Sequence, residues 1–70
     1  MSVADSRGAL AKAGKELFAR WADVQTVWHD AQSQEFQKVY ITQIEQDLRT
    51  ALGALDHMNQ VLLKLENDCE

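Results

Sequence analysis

Apolar and small residues recur through the first part of the chain at steps of three, four or seven positions, which is the spacing of one face of an α-helix. The row consists of Val3, Leu10, Gly14, Leu17, Trp21, Val24 and Trp28. Ser2, with Asp5 three residues later, resembles a capping box and marks the start of this helix. The pattern predicts a helix from about residue 3 to residue 27.

A second and longer apolar row follows, with steps of three and four residues that are typical of a coiled-coil-like seam. Its members are Ile41, Ile44, Leu48, Ala51, Leu55, Met58, Leu62, Leu65 and Cys69. Leu52, Val61 and Leu63 widen the row beyond a two-stranded seam, which favours a bundle of more than two helices. The pattern predicts a helix from about residue 31 to residue 66.

The polar stretch between Trp28 and Phe36 predicts a turn at about residues 28–31, although one uninterrupted helix is the alternative. Asp30 is suited to cap the second helix by accepting a hydrogen bond from an amide near Gln32 or Ser33. The sequence therefore predicts one domain over residues 1–70. Its fold class is all-α, an antiparallel helical hairpin that dimerises into a four-helix bundle.

Folding the chain back at this turn sets the register of the two helices. The start of the first helix then lies opposite residue 56. The apolar residues of the second helix beyond residue 56 lie uncovered for about two turns. The predicted dimer interface is this uncovered surface, with the residue before it: Leu55, Met58, Val61, Leu62 and Leu65. The same register places Gly8 opposite Gly53, where we expect a close approach of the helices.

Within the hairpin, we expect the two apolar rows to pack against each other. The predicted core consists of Leu10, Leu17, Trp21 and Val24 packed on Ile41, Ile44, Leu48 and Leu55.

The length of the chain favours association with a partner over catalysis. A chain of 70 residues has a core that supplies only about 3–5 kcal/mol without a disulfide, metal or second chain. Two or three helices also rarely wall a catalytic pocket. We therefore expect a homodimer, or pairing with a related hairpin, and no enzyme activity.

Charge and cysteine content narrow the classes of partner and compartment. The net charge of −4 disfavours binding to nucleic acid. Cys69 is the only cysteine, which excludes an intrachain disulfide and fits a reducing compartment. No apolar leader or membrane span is present, so we expect no membrane insertion. The expected location is the cytoplasm, or the exterior by a route that uses no signal peptide.

Candidate chemistry is sparse. On a hairpin His29 and His57 lie about 40 Å apart along the second helix, too far to share one metal ion. Ser33 has no histidine near it in sequence and no glycines of a nucleophile elbow. The sequence predicts no catalytic residue, no metal site and no cofactor.

The aromatic residues gather around the predicted turn: Phe18, Trp21, Trp28, Phe36 and Tyr40. Large rings at a hairpin tip can seal its end as a small core. They can also form a docking surface, because aromatic residues are enriched in binding hot spots. Both interpretations stay open at this stage.

A helix ending in Trp28, a short polar turn, and Phe36 opening a long amphipathic helix together resemble the WXG family. This family contains small helical-hairpin proteins of bacterial type VII secretion systems, and the resemblance covers about residues 10–65. It implies homodimers or heterodimers of hairpins packed antiparallel as a four-helix bundle, with Trp28, Asp30, Phe36 and Tyr40 at the motif and tip positions. With the resemblance, the expected partners also include a secretion ATPase or a toxin. Asp30 stands where the family has glycine, and Ile44, four residues after Tyr40, stands where a C-terminal acidic signal would require an acid.

Two functions follow as expectations. The first is a non-enzymatic interaction module associated with type VII secretion, either as an exported substrate or as an export partner. The alternative is a cytoplasmic coiled-coil adaptor or regulatory subunit of a larger enzyme or toxin, which the missing acidic signal favours.

Overall fold

A computed structural model of the chain describes residues 2–68, and Cys69 of the second predicted row lies outside them. The described residues are helical and contain no strand. The elements are α1 (Val3–Gln25), α2 (Ala31–Phe36), a π-helical turn (Gln37–Ile41) and α3 (Thr42–Asp68). Because α2, the π-helical turn and α3 follow without a gap, we call residues 31–68 the second arm.

The two ends of α1 are set by local hydrogen bonds. The Ser2 hydroxyl accepts from the Asp5 amide while the Asp5 carboxylate accepts from the Ser2 amide, so the predicted capping box is confirmed. The helix ends at Gln25, two residues earlier than predicted. Thr26 and Val27 are both β-branched and disfavour helix, and the Thr26 hydroxyl donates to the Asp23 carbonyl oxygen instead.

The connection between the arms covers residues 26–30, so the predicted turn at 28–31 is correct in place and about two residues late in its start. Asp30 caps α2, and its carboxylate accepts from the Ser33 amide at 3.0 Å, as predicted. The Ser33 hydroxyl donates in turn to the Asp30 carbonyl oxygen at 2.9 Å, and Ser33 is 3% exposed. Ser33 is therefore a structural residue of the turn.

The π-helical turn at Gln37–Ile41 is not predicted by the apolar pattern. Ser33, Gln37, Ile41 and Glu45 are the covered residues at the start of the second arm, and they are spaced by four. Three successive steps of four residues would rotate an α-helical face by about 120°. The wider π-helical turn absorbs about one residue, so the covered face keeps its direction.

The two arms run antiparallel and pack along residues spaced by seven. These seam residues are Gly14, Trp21, Ile41, Leu48 and Leu55. The register is defined by the contact of Gly14 with Leu48 and by the ion pair between Arg7 and Asp56 at 3.0 Å.

The predicted register is close to the observed one, but the predicted close approach at Gly8 and Gly53 is wrong. A Cβ atom added at Gly8 or Gly53 would meet no atom within 4 Å, whereas one at Gly14 would overlap Leu48 Cδ2. The approach occurs at Gly14 because this glycine lies on the seam and the other two do not.

The hairpin is a thin rod with little interior. Its extents are 59 × 18 × 10 Å and its radius of gyration is 16.9 Å, against about 11 Å for a compact domain of this length. The buried apolar side chains are Trp21 at 9% and Ile41 at 7% exposure. Three residues of the predicted core, Leu17, Val24 and Ile44, are each about 40% exposed. These three residues lie beside the seam and not in it, because a single neighbouring helix covers one narrow stripe.

Replacing Gly14 with alanine tests the close approach. A helical glycine replaced by alanine gains about 1 kcal/mol where space is free, and overpacking costs about 1–3 kcal/mol. We expect Gly8→Ala to raise the melting temperature and Gly14→Ala to be less stable than Gly8→Ala by about 1–3 kcal/mol. Thermal unfolding followed by circular dichroism at one protein concentration measures this, and equal gains in both variants would contradict the seam contact.

Candidate functional site

An aromatic cluster closes the hairpin at its turn; we call Trp21, Trp28, Phe36 and Tyr40 the aromatic tip. The Trp21 and Trp28 rings meet edge to face at 6.1 Å between centroids. Phe36 lies 5.2 Å from Trp21, 5.9 Å from Trp28 and 5.2 Å from Tyr40. These separations are in the favourable range for aromatic pairs, so the rings stabilise the join between α1 and the second arm. Phe18 lies outside this cluster, one turn away, beside Gly14 and Leu48.

Gln37 anchors the aromatic tip with one side-chain oxygen. Its Oε1 accepts from Trp21 Nε1 at 2.6 Å and from the Gln25 side-chain amide. The Gln37 carbonyl oxygen accepts from the amide and the hydroxyl of Thr42, which closes the π-helical turn. Sequence reasoning missed Gln37, and its only signal was the four-residue spacing of Ser33, Gln37 and Ile41.

The predicted tip residues lie in two kinds of environment, one enclosed and one open. Trp28 is half-buried and Asp30 is engaged as the cap of α2. Phe36 is 37% exposed and Tyr40 is 58% exposed, so their outer sides are open. The open part of the aromatic tip therefore belongs to the second arm.

The second arm extends past the start of α1. The Arg7–Asp56 and Gly14–Leu48 contacts place Val3 level with about residue 59 at equal rise in both helices. Residues 60–68, which we call the overhang, then project for about 13 Å with none of the other described helices beside them. Of the predicted interface residues, Leu55 is half-buried, while Met58, Val61, Leu62 and Leu65 are exposed.

Helical geometry assigns the exposed apolar residues to one side of the rod. A residue three positions after a seam residue lies about 60° from it. Because the two helices run antiparallel, this rotation carries the residue to the same side of the rod on both helices. That side, with the extension of its rows into the overhang, is the apolar face: Leu17, Val24, Ile44, Ala51, Met58, Leu62 and Leu65.

The other side of the rod has a different composition. Residues four positions after a seam residue rotate to that side and form the opposite face: Phe18, Gln25, Glu45, Leu52 and Asn59. Three of the five are polar or charged. Beside Phe18 lies a shallow open groove lined by Ala11, Lys12, Gly14, Lys15 and Leu48.

Among residues 2–68, no three His, Cys, Asp or Glu side chains come together as metal ligands. His29 lies in the turn, and His57 lies in the second half of α3. None of the helices in this range has an apolar stretch long enough to cross a membrane.

Comparisons with protein-family models, with curated proteins and with solved structures give no match for this chain.

Replacing Gln37 with methionine tests the anchor of the aromatic tip. The variant keeps the side-chain length and removes the acceptor of the Trp21 indole, and a buried donor left without a partner costs about 1–3 kcal/mol. We expect Gln37→Met to lower the free energy of unfolding by that amount and to change the tryptophan fluorescence. Gln43→Met is the matched control, because the Gln43 amide only meets Asp47 on the exposed side of α3. An equal effect of the two variants would contradict the anchoring role.

Proposed function

We propose that the chain is a non-enzymatic interaction module whose hairpin packs with a second helical hairpin to form a four-helix bundle. The observation that carries this proposal is the continuous apolar face, which reaches from Leu17 and Val24 to Leu65 in the overhang. Large contiguous apolar surfaces on small proteins mark sites of association.

The extent of exposed surface agrees with a partner. The chain exposes 5715 Å², whereas a compact monomer of its mass exposes about 4,400 Å². The excess of about 1,300 Å² exceeds the roughly 800 Å² that each partner buries in a standard interface. A second hairpin would cover a surface of this size.

The function we propose for this module is that of a WXG-like protein associated with type VII secretion. Support comes from the hairpin architecture, from Trp28 at the end of the first segment, and from Phe36 at the open side of the aromatic tip. Asp30 performs the turn-forming task at the position where the family has glycine. The chain would be an exported substrate or an export partner.

One observation favours the alternative, a cytoplasmic adaptor or regulatory subunit of a larger enzyme or toxin. Ile44 is four residues after Tyr40, where an acidic export signal would require a carboxylate, and Ile44 belongs to the apolar face. In this alternative the same face binds the larger protein.

Light scattering across a dilution series tests the association. We expect a helical species of twice the 7.9 kDa chain mass at micromolar concentration that dissociates on dilution with loss of helicity, because folding and association are linked. A species of the single-chain mass that stays fully helical at every concentration would contradict the paired hairpin.

Export is tested separately in cells of the source organism. We expect the chain to appear outside the cell without cleavage, and to be retained when the ATPase of the type VII system is inactivated. A tagged Trp28→Ala variant that still forms the dimer should also be retained. Exclusive recovery inside the cell, bound to a larger protein, would contradict export and favour the adaptor.

A further inference from the structure

The geometry points to a separate docking surface on the opposite face: the groove beside Phe18 accepts an amphipathic helix of another protein, with acidic residues along one flank of that helix. This inference goes beyond the proposed function, because the paired hairpin would occupy the apolar face and the groove lies on the other side of the rod. It rests on the lining, the shape and the rim charges of the groove.

The groove exists because small residues leave space between the two arms. Gly14 has no side chain and Ala11 has only a methyl group, while Phe18 and Leu48 form the walls. Its volume is about 460 Å³. Gly14 is buried and the other three residues are half-buried, so an apolar floor is left partly open to solvent. Covering such a surface is favourable.

The shape of the groove fits a helix better than a small molecule. Pockets for small molecules enclose most of the ligand, whereas this groove is open along one side. From Ala11 to Phe18 it follows α1 for about two turns, or about 10 Å. Helices bound in grooves insert apolar side chains spaced by three, four or seven residues. The absent side chain at Gly14 also lets another backbone approach closely.

Two lysines give the groove a positive rim. Lys12 and Lys15 line it on the α1 side, and both are exposed. The methylene stems of such side chains extend an apolar lining while their ammonium groups stay in water. Within residues 2–68, the two ion pairs join other residues, so no carboxylate of this range neutralises either lysine.

The acidic residues nearest to this rim are engaged elsewhere or face away. Asp56 pairs with Arg7, and Glu45 pairs with Arg49. Glu16 follows a seam residue by two positions, which places it about 200° round α1, on the back of the helix. The rim therefore carries two positive charges in a chain whose net charge is −4. Carboxylates on a partner helix would neutralise them.

The two walls differ, and the difference specifies the partner helix. Lys12 and Lys15 are three positions apart, which matches carboxylates spaced by three or four residues on a neighbouring helix. The α3 wall is apolar at Leu48, and Leu52 lies one turn further on the same side. We therefore infer a helix that is acidic on the flank toward α1 and apolar on the flank toward α3.

Fluorescence anisotropy with a labelled synthetic peptide tests the groove. The probe is a helical peptide of about four turns, with leucine along one side and glutamate along the adjoining flank. We expect saturable binding with a micromolar dissociation constant that rises with salt concentration, because salt screens exposed charges. A control peptide with lysine in place of every glutamate should bind at least about tenfold more weakly.

Charge reversal at the rim identifies the lysines. We expect Lys12→Glu combined with Lys15→Glu to raise the dissociation constant of the acidic peptide by at least about tenfold. Arg20→Glu combined with Lys64→Glu is the matched control, because it changes the net charge equally at exposed residues outside the groove. The control should change the dissociation constant by less than about threefold.

Filling the groove tests its position without a change of charge. Ala11→Gln places a longer side chain over the floor, and we expect it to weaken peptide binding by at least about tenfold. Ala9→Gln is the matched control, because Ala9 is exposed on the same helix and points about 160° away from Ala11. Circular dichroism should show both variants to be as helical as the unmodified protein, since glutamine is a good helix former.

Losses confined to the rim and groove variants support the inference. No saturable binding at millimolar peptide overturns it, as does equal binding of the lysine peptide. Equal effects of Ala11→Gln and Ala9→Gln place the peptide elsewhere, the apolar face included, and also overturn it. Binding of dodecanoate at Ala11 in place of the acidic peptide assigns the groove to a small amphiphile and overturns the helix.

Light scattering separates this inference from the proposed function. A dimeric mass of the unmodified protein with no peptide binding overturns the groove alone and leaves the paired hairpin standing. Peptide binding by a protein of single-chain mass supports the groove and contradicts the pairing of two copies. If Ala11→Gln dissociates a dimer that Ala9→Gln leaves intact, a second copy occupies the groove and the inference is overturned.

Discussion

The narrow contact between two helices is the constraint on which the rest of this structure depends. Each helix of a pair can bury one stripe against the other, and here only Trp21 and Ile41 among the large apolar side chains are nearly enclosed. The sequence nevertheless contains two apolar rows on each arm. One row forms the seam and the other is left on the apolar face, so the exposed face follows directly from the pairing of only two helices.

The two arms are joined closely at one end of the rod and not at the other. At the turn, four aromatic rings and the Gln37 side chain join the arms over a five-residue connection. The π-helical turn keeps Gln37 and Ile41 on the same side, which a regular α-helix would not do at this spacing. At the other end there is no such closure, because α1 starts level with residue 59 and α3 continues to Asp68.

The sequence predicted the elements of this fold better than their mutual contacts. The capping box at Ser2 and the cap at Asp30 depend on local chemistry, and they are confirmed. The register depends on helix rise, and the prediction differs from the observed register by about three residues or fewer. The seam was assigned too broadly, since Leu17 and Val24 share the heptad pattern of α1 but lie beside the contact. The π-helical turn and the Gly14 approach depend on tertiary packing, which apolar spacing alone does not encode.

From the sequence, the candidate surfaces could be predicted as sets of apolar residues but not as positions around the rod. The overhang could be located from chain length and helix rise, whereas the placement of Leu17, Val24 and Ile44 on one side with Met58 required the observed seam. The Gly14–Leu48 contact fixes which residues follow a seam position by three and which by four. That distinction separates an apolar side from a partly polar one.

The same geometry sets what any helix packed on the apolar face would meet. Along α1 and the facing part of the second arm, it would lie between two rows of apolar side chains, Leu17 and Val24 on one arm and Ile44 and Met58 on the other. Past the start of α1 it would contact α3 alone, through Leu62 and Leu65. The apolar face is therefore wide beside the hairpin and narrow in the overhang, because its two rows end at different levels of the rod.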